Sequence, residues 1–498
     1  MLVETVRVQD LPDYDDFDAT GLAQRIAAGD FSPEEALSTA LSRVDALNPQ
    51  LNAVTQVQAG RARETLAAGV PKGPLSGVPF LLKDLGAEAI GFPGNNGSRL
   101  LKNTTYSYNS TLVERLLSAG LVVFGRTTSP EGGIGCATEA AVYGGPTRNP
   151  WNLDHTPGGS SGGSGAAVSA GIVPAAHGSD GGGSIRIPAS SCGLFGFKPT
   201  RARLPDGPAS GEGWGGMAIE GFLTRSVRDS ALLLDICSGT DLGAPYVAPP
   251  LEASFMDAME QSRTGLRVAL CTTTFDGEPV DPECAAAAEA AAGLLADMGH
   301  HIEIARPDAD TQGMMQAWTE IVACGTALGV QHKLKRLGRE LLPDDLEPVS
   351  RSACAYAETI SGAAYLDALE TVHDYGRQMA AFFSRFDLLV SPTLAEPPAR
   401  VGRFSHDRES YLDYRLGPDG VFAYSPYTAS FNATGQPAAS VPLAWSRTGL
   451  PIGVHLAAPF GADELLMGVC AELERAQPWF HKRPPLAGMH AGEGERAE

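Results

Sequence analysis

Residues 156–200 read TPGGSSGGSGAAVSAGIVPAAHGSDGGGSIRIPASSCGLFGFKPT. Two glycine-rich turns lie in this stretch, and each carries a serine: Ser160 in the first and Ser184 in the second. A flexible linker would continue its glycines and serines without interruption, whereas apolar residues such as Ala166 and Val168 interrupt them here. The pattern therefore predicts a helix and a strand between two structured turns, which hold the serine side chains in place.

Strand-like and helix-like segments alternate along most of the chain. Residues 77–84, GVPFLLKD, have the pattern of a buried strand that ends in a lysine, and residues 111–119 have helical periodicity. Such alternation is typical of an α/β fold, in which a mixed, mostly parallel, twisted sheet is covered by helices on both faces. Residues 308–386 are mostly helical in pattern and predict a helical insert in one large domain. The polar tail at residues 490–498 is expected to be disordered.

The charge balance limits the classes of partner. The formal net charge is −21, which repels phosphate backbones and anionic membrane surfaces. No apolar run approaches the roughly 18 residues that a membrane span needs. We therefore expect no nucleic-acid and no membrane partner, but a small uncharged or cationic ligand.

The eight cysteines show neither a CxxC pair nor a Cys/His cluster with zinc spacing. This usage predicts buried free thiols in a reducing cytosol and no metal site.

Two common glycine-rich motifs do not fit the second turn. A P-loop requires Lys followed by Ser or Thr after its glycines, and a nucleophile elbow requires Gly two residues after the serine. The segment GGGSIR at residues 181–186 satisfies neither spacing. Phosphate binding and an α/β-hydrolase elbow are therefore not indicated.

The three glycines before Ser184 can adopt backbone angles that other residues avoid. The N–H groups of Gly181, Gly182 and Gly183 can then converge on one point, as in an oxyanion hole. Ser184 Oγ would attack a carbonyl group at that point. The alternative is a tight turn in which glycine serves packing alone.

Lys83 is the strongest candidate for a base, because it ends the apolar strand. His155 and His177 lie near the serines in sequence, but neither has an obvious orienting carboxylate. A lysine acts as a base near neutral pH only if its pKa falls from roughly 10.4 toward 7, and burial can cause this fall. The alternative is that Lys83 reaches solvent or pairs with Asp84. Ser160 can relay a proton between Ser184 and Lys83, since a hydroxyl both donates and accepts, but spacing alone leaves this relay open.

These residues together resemble the amidase signature family of hydrolases. The resemblance rests on Lys83 in PFLLKD, on Ser160 in GGSSGGSGAA and on Ser184 in SDGGGSIRIPAS, and it extends to the segments FNATGQPAASVPL and GLPIGVHL near the C-terminus. It implies one α/β/α domain over residues 1–498, with no metal or organic cofactor.

By position, the resemblance implies a Ser-cisSer-Lys triad. Ser184 is the expected nucleophile, Ser160 the bridging serine that follows a cis peptide bond, and Lys83 the base. The N–H groups of residues 181–184 are the expected oxyanion hole. Asp180 and Arg186 are expected to support this loop, pairing with each other.

The resemblance also suggests a substrate class. Gly133, Ile134 and Gly135 match a family loop near the bridging serine, and we expect them to line the acyl pocket. The signature segments look most like those of bacterial small-molecule amidases similar to 6-aminohexanoate cyclic dimer hydrolases. They look less like amidotransferase A subunits, which typically have Thr where this chain has Gly181 and Gln where it has Ile187. The expected partner is a small amide or carbamate substrate, with aryl acylamides and esters as alternatives and a homodimer as a candidate assembly.

Overall fold

The computed structural model describes residue 11, residues 13–102 and residues 104–486. The predicted disordered tail at residues 490–498 lies outside the described residues. Within them the chain forms eleven β-strands: β1 (Val54–Thr55), β2 (Pro79–Lys83), β3 (Val122–Thr127), β4 (Ala175–Asp180), β5 (Phe195–Lys198), β6 (Ile219–Thr224), β7 (Arg267–Leu270), β8 (His301–Ile304), β9 (Leu388–Pro392), β10 (Ala438–Trp445) and β11 (Pro451–Ala457).

The described residues also form sixteen α-helices: α1 (Ala19–Ala28), α2 (Pro33–Leu51), α3 (Ala59–Ala68), α4 (Thr111–Ser118), α5 (Gly162–Ser169), α6 (Arg186–Cys192), α7 (Val227–Cys237), α8 (Phe255–Met259), α9 (Pro282–Asp297), α10 (Thr311–Leu337), α11 (Pro348–Ala357), α12 (Gly362–Phe383), α13 (Tyr411–Leu416), α14 (Val421–Tyr424), α15 (Thr428–Ala433) and α16 (Asp463–Ala476).

All eleven strands belong to one sheet, in the order β1-β3-β2-β4-β6-β5-β10-β11-β9-β7-β8. The prediction of one large α/β domain with a mixed sheet is confirmed, but "mostly parallel" is wrong: six of the ten strand pairs are antiparallel and four are parallel. The reason lies in the connections. No α-helix separates β5 from β6 or β10 from β11, and strands joined without a crossover helix pair antiparallel.

Helices cover both faces of the sheet, and β2 illustrates how alternate residues serve the two faces. Phe80 and Leu82 pack in one hydrophobic cluster with residues of α4 and α7. Leu81 points the other way and packs with residues of α2 and α5. Both faces are thereby withdrawn from water, as the apolar run in the sequence predicts.

The region 308–386 is helical, as its sequence pattern predicts, and contains α10, α11 and α12 but no strand among its residues. α10 packs against both α11 and α12. Residues of all three helices share a hydrophobic cluster with Ile134 and Ile187. The helical region is thus packed against the loop at residues 133–135 and against the start of α6, which follows the Ser184 turn.

Two parallel neighbours, β2 and β4, position the candidate site. Lys83 is the last residue of β2 and Asp180 the last residue of β4. Because parallel strands end at the same edge of the sheet, Lys83 lies beside the turn at residues 181–185 that joins β4 to α6.

Candidate active site

Lys83 is completely buried, so the alternative of a lysine that reaches solvent is wrong. Its Nζ atom donates hydrogen bonds to Ser160 Oγ at 2.7 Å and to Ser179 Oγ at 2.9 Å. The neighbouring Asp84 does not pair with it but accepts a hydrogen bond from the Tyr143 hydroxyl at 2.6 Å. The lysine amine therefore faces the first glycine-rich turn.

Burial lowers the pKa of Lys83 to about 7, although Glu220 and Asp180 act to raise it. An amine in an apolar site loses hydration that the charged form needs more than the neutral form. The backbone N–H of Lys83 also donates to His177 Nδ1 at 3.2 Å, and His177 Nε2 lies 2.7 Å from Glu220 Oε2. Since Nδ1 accepts, a neutral His177 carries its proton on Nε2 and donates to Glu220.

Ser160 is 2% exposed, and its peptide bond to Gly159 is cis, as the resemblance implies. The next residue connects the two glycine-rich turns, because the N–H of Ser161 donates to the carbonyl oxygen of Ser184 at 3.2 Å. A Cβ atom added to Gly159 would lie 2.7 Å from the backbone nitrogen of Ala137. Glycine is therefore required at that position because the backbone of residues 135–137 packs directly against it.

Ser184 is 9% exposed and lines a narrow pocket of about 20 Å³. Gly133, Gly159 and Gly182 line the same pocket, and Trp318 forms part of its aromatic wall. Within the described residues, no hydrogen bond joins the two serine hydroxyls. The structure thus brings the nucleophile candidate to the pocket beside the Lys83–Ser160 pair, with the Ser184 hydroxyl still available to a ligand.

The carbonyl groups of the glycine loop are held by residues from distant parts of the chain. Trp318 Nε1 donates to the Gly181 carbonyl at 3.0 Å, and Thr428 Oγ1 donates to the Gly182 carbonyl at 2.6 Å. Because the N–H and C=O of one peptide point in opposite directions, these bonds also orient the N–H groups that follow.

Gly183 departs from the expected oxyanion hole. Its N–H donates to Asp180 Oδ1 at 2.7 Å, so it is not free to bind a ligand. The N–H groups of Gly181, Gly182 and Ser184 make no hydrogen bond within the described residues. Gly183 instead serves the turn, since its φ of 126° favours glycine.

The expected pairing of Asp180 with Arg186 is present. Both side chains are fully buried, and two hydrogen bonds of 2.9 and 3.0 Å join them. Burial alone would raise the pKa of Asp180, but the charge and hydrogen bonds of Arg186, with a hydrogen bond from Asn432, hold it below its usual value. The Asp180 carboxylate also accepts from the Ile185 N–H. It therefore fixes the loop that carries Ser184.

Of the three residues expected to line the acyl pocket, Gly133 and Gly135 line the pocket that contains Ser184. A Cβ on Gly133 would approach Leu85 Cδ2 to 2.5 Å and Ser160 Oγ to 3.6 Å. Ile134 is different: its side chain is completely buried in a hydrophobic cluster and does not line the pocket. Ile134 lies between the two glycines, and its side chain points away from the pocket into the core.

Several contributors escaped the sequence analysis. Ser179 could have been found, because the two-residue period of β4 places it on the same face as His177, next to Lys83. Trp318, Thr428 and Asn432 gave no local signal, since they lie more than 100 residues beyond the glycine loop. Only the fold brings them to it.

The described residues contain no helix long and apolar enough to cross a membrane. Among the same residues, no group of three or more His, Cys, Asp or Glu side chains could hold a metal ion. All eight cysteines are free, and six of them are buried.

The chain is similar to known proteins in both sequence and structure. Residues 35–467 match the Amidase family. The 6-aminohexanoate-cyclic-dimer hydrolase of Paenarthrobacter ureafaciens is 37% identical over 478 residues, which cover 94% of this chain and 96% of that protein. The acylamidase of Rhodococcus erythropolis is 34% identical, with the same coverage of both chains. A solved structure of 6-aminohexanoate cyclic dimer hydrolase complexed with substrate superposes with a TM-score of 0.90 at 36% identity, covering 95% of this chain and 100% of the other. The chain therefore belongs to the amidase signature family and is a hydrolase of carbon–nitrogen bonds.

Proposed function

We propose that this protein hydrolyses the amide bonds of small non-peptide substrates through an acyl-enzyme on Ser184, with Ser160 and Lys83 as the proton relay. The observation that carries the proposal is the hydrogen bond of 2.7 Å between Lys83 Nζ and Ser160 Oγ, in a site where the lysine is completely buried. A pKa of about 7 makes its neutral, proton-accepting form available at neutral pH.

In the first step, the substrate carbonyl carbon lies against Ser184 in the narrow pocket. The Ser184 oxygen forms a bond to that carbon while its proton passes to Ser160, and the Ser160 proton passes to Lys83. The two serine hydroxyls are not hydrogen-bonded in the free site, and they come into contact when the substrate is bound. The carbonyl π electrons move to the oxygen, which becomes an oxyanion.

The N–H groups of Gly181, Gly182 and Ser184 are the proposed donors to this oxyanion. The bonds from Trp318 and Thr428 to the neighbouring carbonyls hold two of the loop's peptide planes before substrate arrives. Donors that are fixed in advance need no reorganisation when charge develops, which is the basis of electrostatic catalysis.

In the second step, the carbon–nitrogen bond breaks and the amine leaves with the proton returned from Lys83 through Ser160. Water then attacks the acyl-enzyme, with the same relay accepting its proton, and releases the carboxylic acid and free Ser184. Every transfer uses this chain's side chains and water, so the proposed route needs no cofactor.

Trp214, Trp318 and Phe422 form aromatic walls around the pocket. Substrates whose carbonyl group is flanked by apolar groups fit these walls. The activities for which the relatives are named, cyclic-dimer hydrolase and acylamidase, support amides as the substrate class. Carbamates and esters could acylate the same serine and are the alternative substrates.

The test is a panel of anilides, linear and cyclic oligoamides, carbamates and short esters, assayed with wild-type protein and with Ser184→Ala. We expect amides to give the highest kcat/KM and Ser184→Ala to lose at least a thousandfold in kcat. The control is Ser191→Ala, because Ser191 is buried on α6 but does not line the pocket. Undiminished turnover by Ser184→Ala would show that the nucleophile lies elsewhere, and a higher kcat/KM for carbamates or esters would replace amides as the substrate class.

A further inference from the structure

A second cavity, of about 290 Å³, lies beside the catalytic pocket, and Trp214 lines both. Its walls come from residues 96–101, from Glu131 and Gly132, from α10 and from residues 346–350. Gly132 directly precedes Gly133, which lines the catalytic pocket. Trp214 therefore stands between the two cavities, and a substrate held at Ser184 would reach the second one by extending past this side chain.

Four polar side-chain atoms of residues that line the cavity have no hydrogen-bond partner within 3.5 Å in the described part of the chain: Asn96 Oδ1, Ser98 Oγ, Glu131 Oε1 and Ser350 Oγ. The residues Ser98, Glu131 and Ser350 are only 4%, 3% and 2% exposed. Folded proteins leave few buried polar atoms unpaired. Four of them around one cavity are therefore open to a ligand that supplies hydrogen-bond donors.

Glu131 is the charged member of this group. Its Oε2 atom accepts a hydrogen bond of 2.8 Å from the backbone N–H of Glu347, which leaves Oε1 for a ligand. Burial raises the pKa of Glu131, whereas the nearby hydroxyls of Ser350 and Ser98 act to lower it, so both hydroxyls lie close enough to turn their hydrogen toward the carboxylate and keep their oxygens as acceptors. No cationic side chain forms an ion pair with Glu131 in the described residues. The carboxylate is thus buried without a counter-charge.

The unpaired atoms are two pure acceptors and two hydroxyl oxygens that can also accept. A primary ammonium group has three N–H donors and no acceptor, which matches this set. It would also bring the positive charge that the Glu131 carboxylate lacks, and hydrogen bonds between charged partners are the strong ones. A carboxylate or a phosphate would instead be repelled by Glu131.

Three basic side chains of α10 also line the cavity: His332, Lys333 and Arg336. His332 and Arg336 are exposed, so solvent and salt screen their charge. Lys333 Nζ already donates to Thr104 Oγ1 at 2.8 Å. The three basic side chains therefore attract an anionic ligand less strongly than the buried acceptor atoms attract a ligand with hydrogen-bond donors.

We propose that this cavity binds the primary ammonium group at the far end of the substrate's acyl chain, so that ω-amino amides are the preferred substrates. The inference rests on the proposed function, because it takes Ser184 as the site of acylation. Glu131, with Ser98 and Ser350, recognises the ammonium group, and the chain between the two ends passes Trp214.

The test compares two anilides of equal size, 6-aminohexanoyl anilide and heptanoyl anilide, which differ by an ammonium in place of a terminal methyl group. We expect wild-type protein to favour the amino substrate at least tenfold in kcat/KM, and Glu131→Gln to reduce this preference to threefold or less. The glutamine can still accept from the Glu347 N–H. The matched control is Glu139→Gln, because Glu139 is on the same loop and accepts from the Gly402 N–H but does not line the cavity. Equal preference in wild-type protein and Glu131→Gln overturns the proposal.

A second measurement separates this proposal from the hydrolysis itself. Calorimetric titration of wild-type protein with hexylammonium, and with hexanol as the uncharged probe, needs no turnover. We expect hexylammonium to bind at least tenfold more tightly than hexanol, and Ser350→Ala, which keeps Glu131, to weaken hexylammonium binding severalfold. This variant also serves if Glu131→Gln does not fold. If no anilide is cleaved but hexylammonium binds selectively, the proposed function fails and the cavity assignment stands; if hexylammonium binds no better than hexanol, the cavity assignment fails.

Discussion

Trp318 Nε1 donates a hydrogen bond of 3.0 Å to the carbonyl oxygen of Gly181. Trp318 belongs to α10 in the helical region, whereas Gly181 begins the loop that leads to Ser184. The same indole leaves no space for a side chain at the next residue, because a Cβ on Gly182 would lie 2.8 Å from Trp318 Cζ2. The helical region therefore shapes the glycine loop and orients the N–H of Gly182.

Replacing Trp318 with phenylalanine removes this hydrogen bond but keeps an aromatic ring. We expect Trp318→Phe to lower kcat by about five- to tenfold, since one hydrogen bond contributes about 1 to 1.5 kcal/mol to holding the loop. The control is Trp445→Phe, because Trp445 Nε1 has no hydrogen-bond partner among the described residues. A kcat in folded Trp318→Phe equal to that of Trp445→Phe would show that the indole N–H does not position the loop.

The fold could be predicted from the sequence only as far as local patterns reach. The apolar run before Lys83 predicted a buried strand, and the helical pattern of residues 308–386 was also correct. Strand direction was predicted wrongly because it depends on the connections. The twenty residues between β5 and β6 (199–218) form turns rather than a helix, so the alternation of strand and helix on which the prediction relied does not hold there. The direction of a strand is a tertiary property that residue periodicity does not encode.

The candidate site shows the same limit. Lys83, Ser160 and Ser184 could be selected because each stands in a distinctive local motif. The motif did not reveal that the N–H of Gly183 is used by Asp180, because a glycine run specifies freedom of the backbone and not its final angles. It also did not reveal the long-range donors Trp318 and Thr428, whose contacts exist only in the folded chain.

The pH dependence of hydrolysis tests the role of Lys83. In the proposed relay the neutral form of Lys83 accepts the proton, so we expect kcat/KM to rise with pH through about 7 as the lysine loses its charge. Burial also lowers the pKa of Lys198 to about 7, so a titration near this pH does not by itself identify the lysine. Lys198→Met should keep the rising limb, whereas Lys83→Met should be inactive. Loss of the limb in an active Lys198→Met variant would assign the titration to Lys198.

Lys83 should also make the folded protein less stable near neutral pH. Its folded-state pKa of about 7 lies below the roughly 10.4 of an unfolded chain, so the unfolded chain binds more protons between these pH values. The free energy of unfolding of the wild type therefore rises with pH through this window, and Met at position 83 removes the dependence.

We expect Lys83→Met to stabilise the protein by up to about 4 kcal/mol at pH 7, less what the lost hydrogen bonds of the amine contribute. The advantage should shrink as pH approaches 10. Melting temperatures of both proteins at pH 7 and pH 10 measure this, with Lys72→Met at an exposed position as the control. An advantage that grows with pH would have the wrong sign and would contradict the burial of a neutral amine.

Removing one partner of the buried pair of Asp180 and Arg186 should destabilise the protein far more than removing one partner of an exposed pair of similar length. The two charges are 2.9 Å apart and fully buried, whereas Arg25 and Asp30 are 2.8 Å apart with about half of each side chain exposed. Asp180→Asn leaves the Arg186 charge buried without its partner, which costs about 3 to 5 kcal/mol. Asp30→Asn should cost less than about 1 kcal/mol, because water solvates the remaining arginine.

Urea denaturation of the two variants provides the measurement. Equal unfolding midpoints for both would mean that Asn432 and the surrounding backbone compensate the Arg186 charge on their own, and the Asp180 carboxylate would then not be what holds the Ser184 loop.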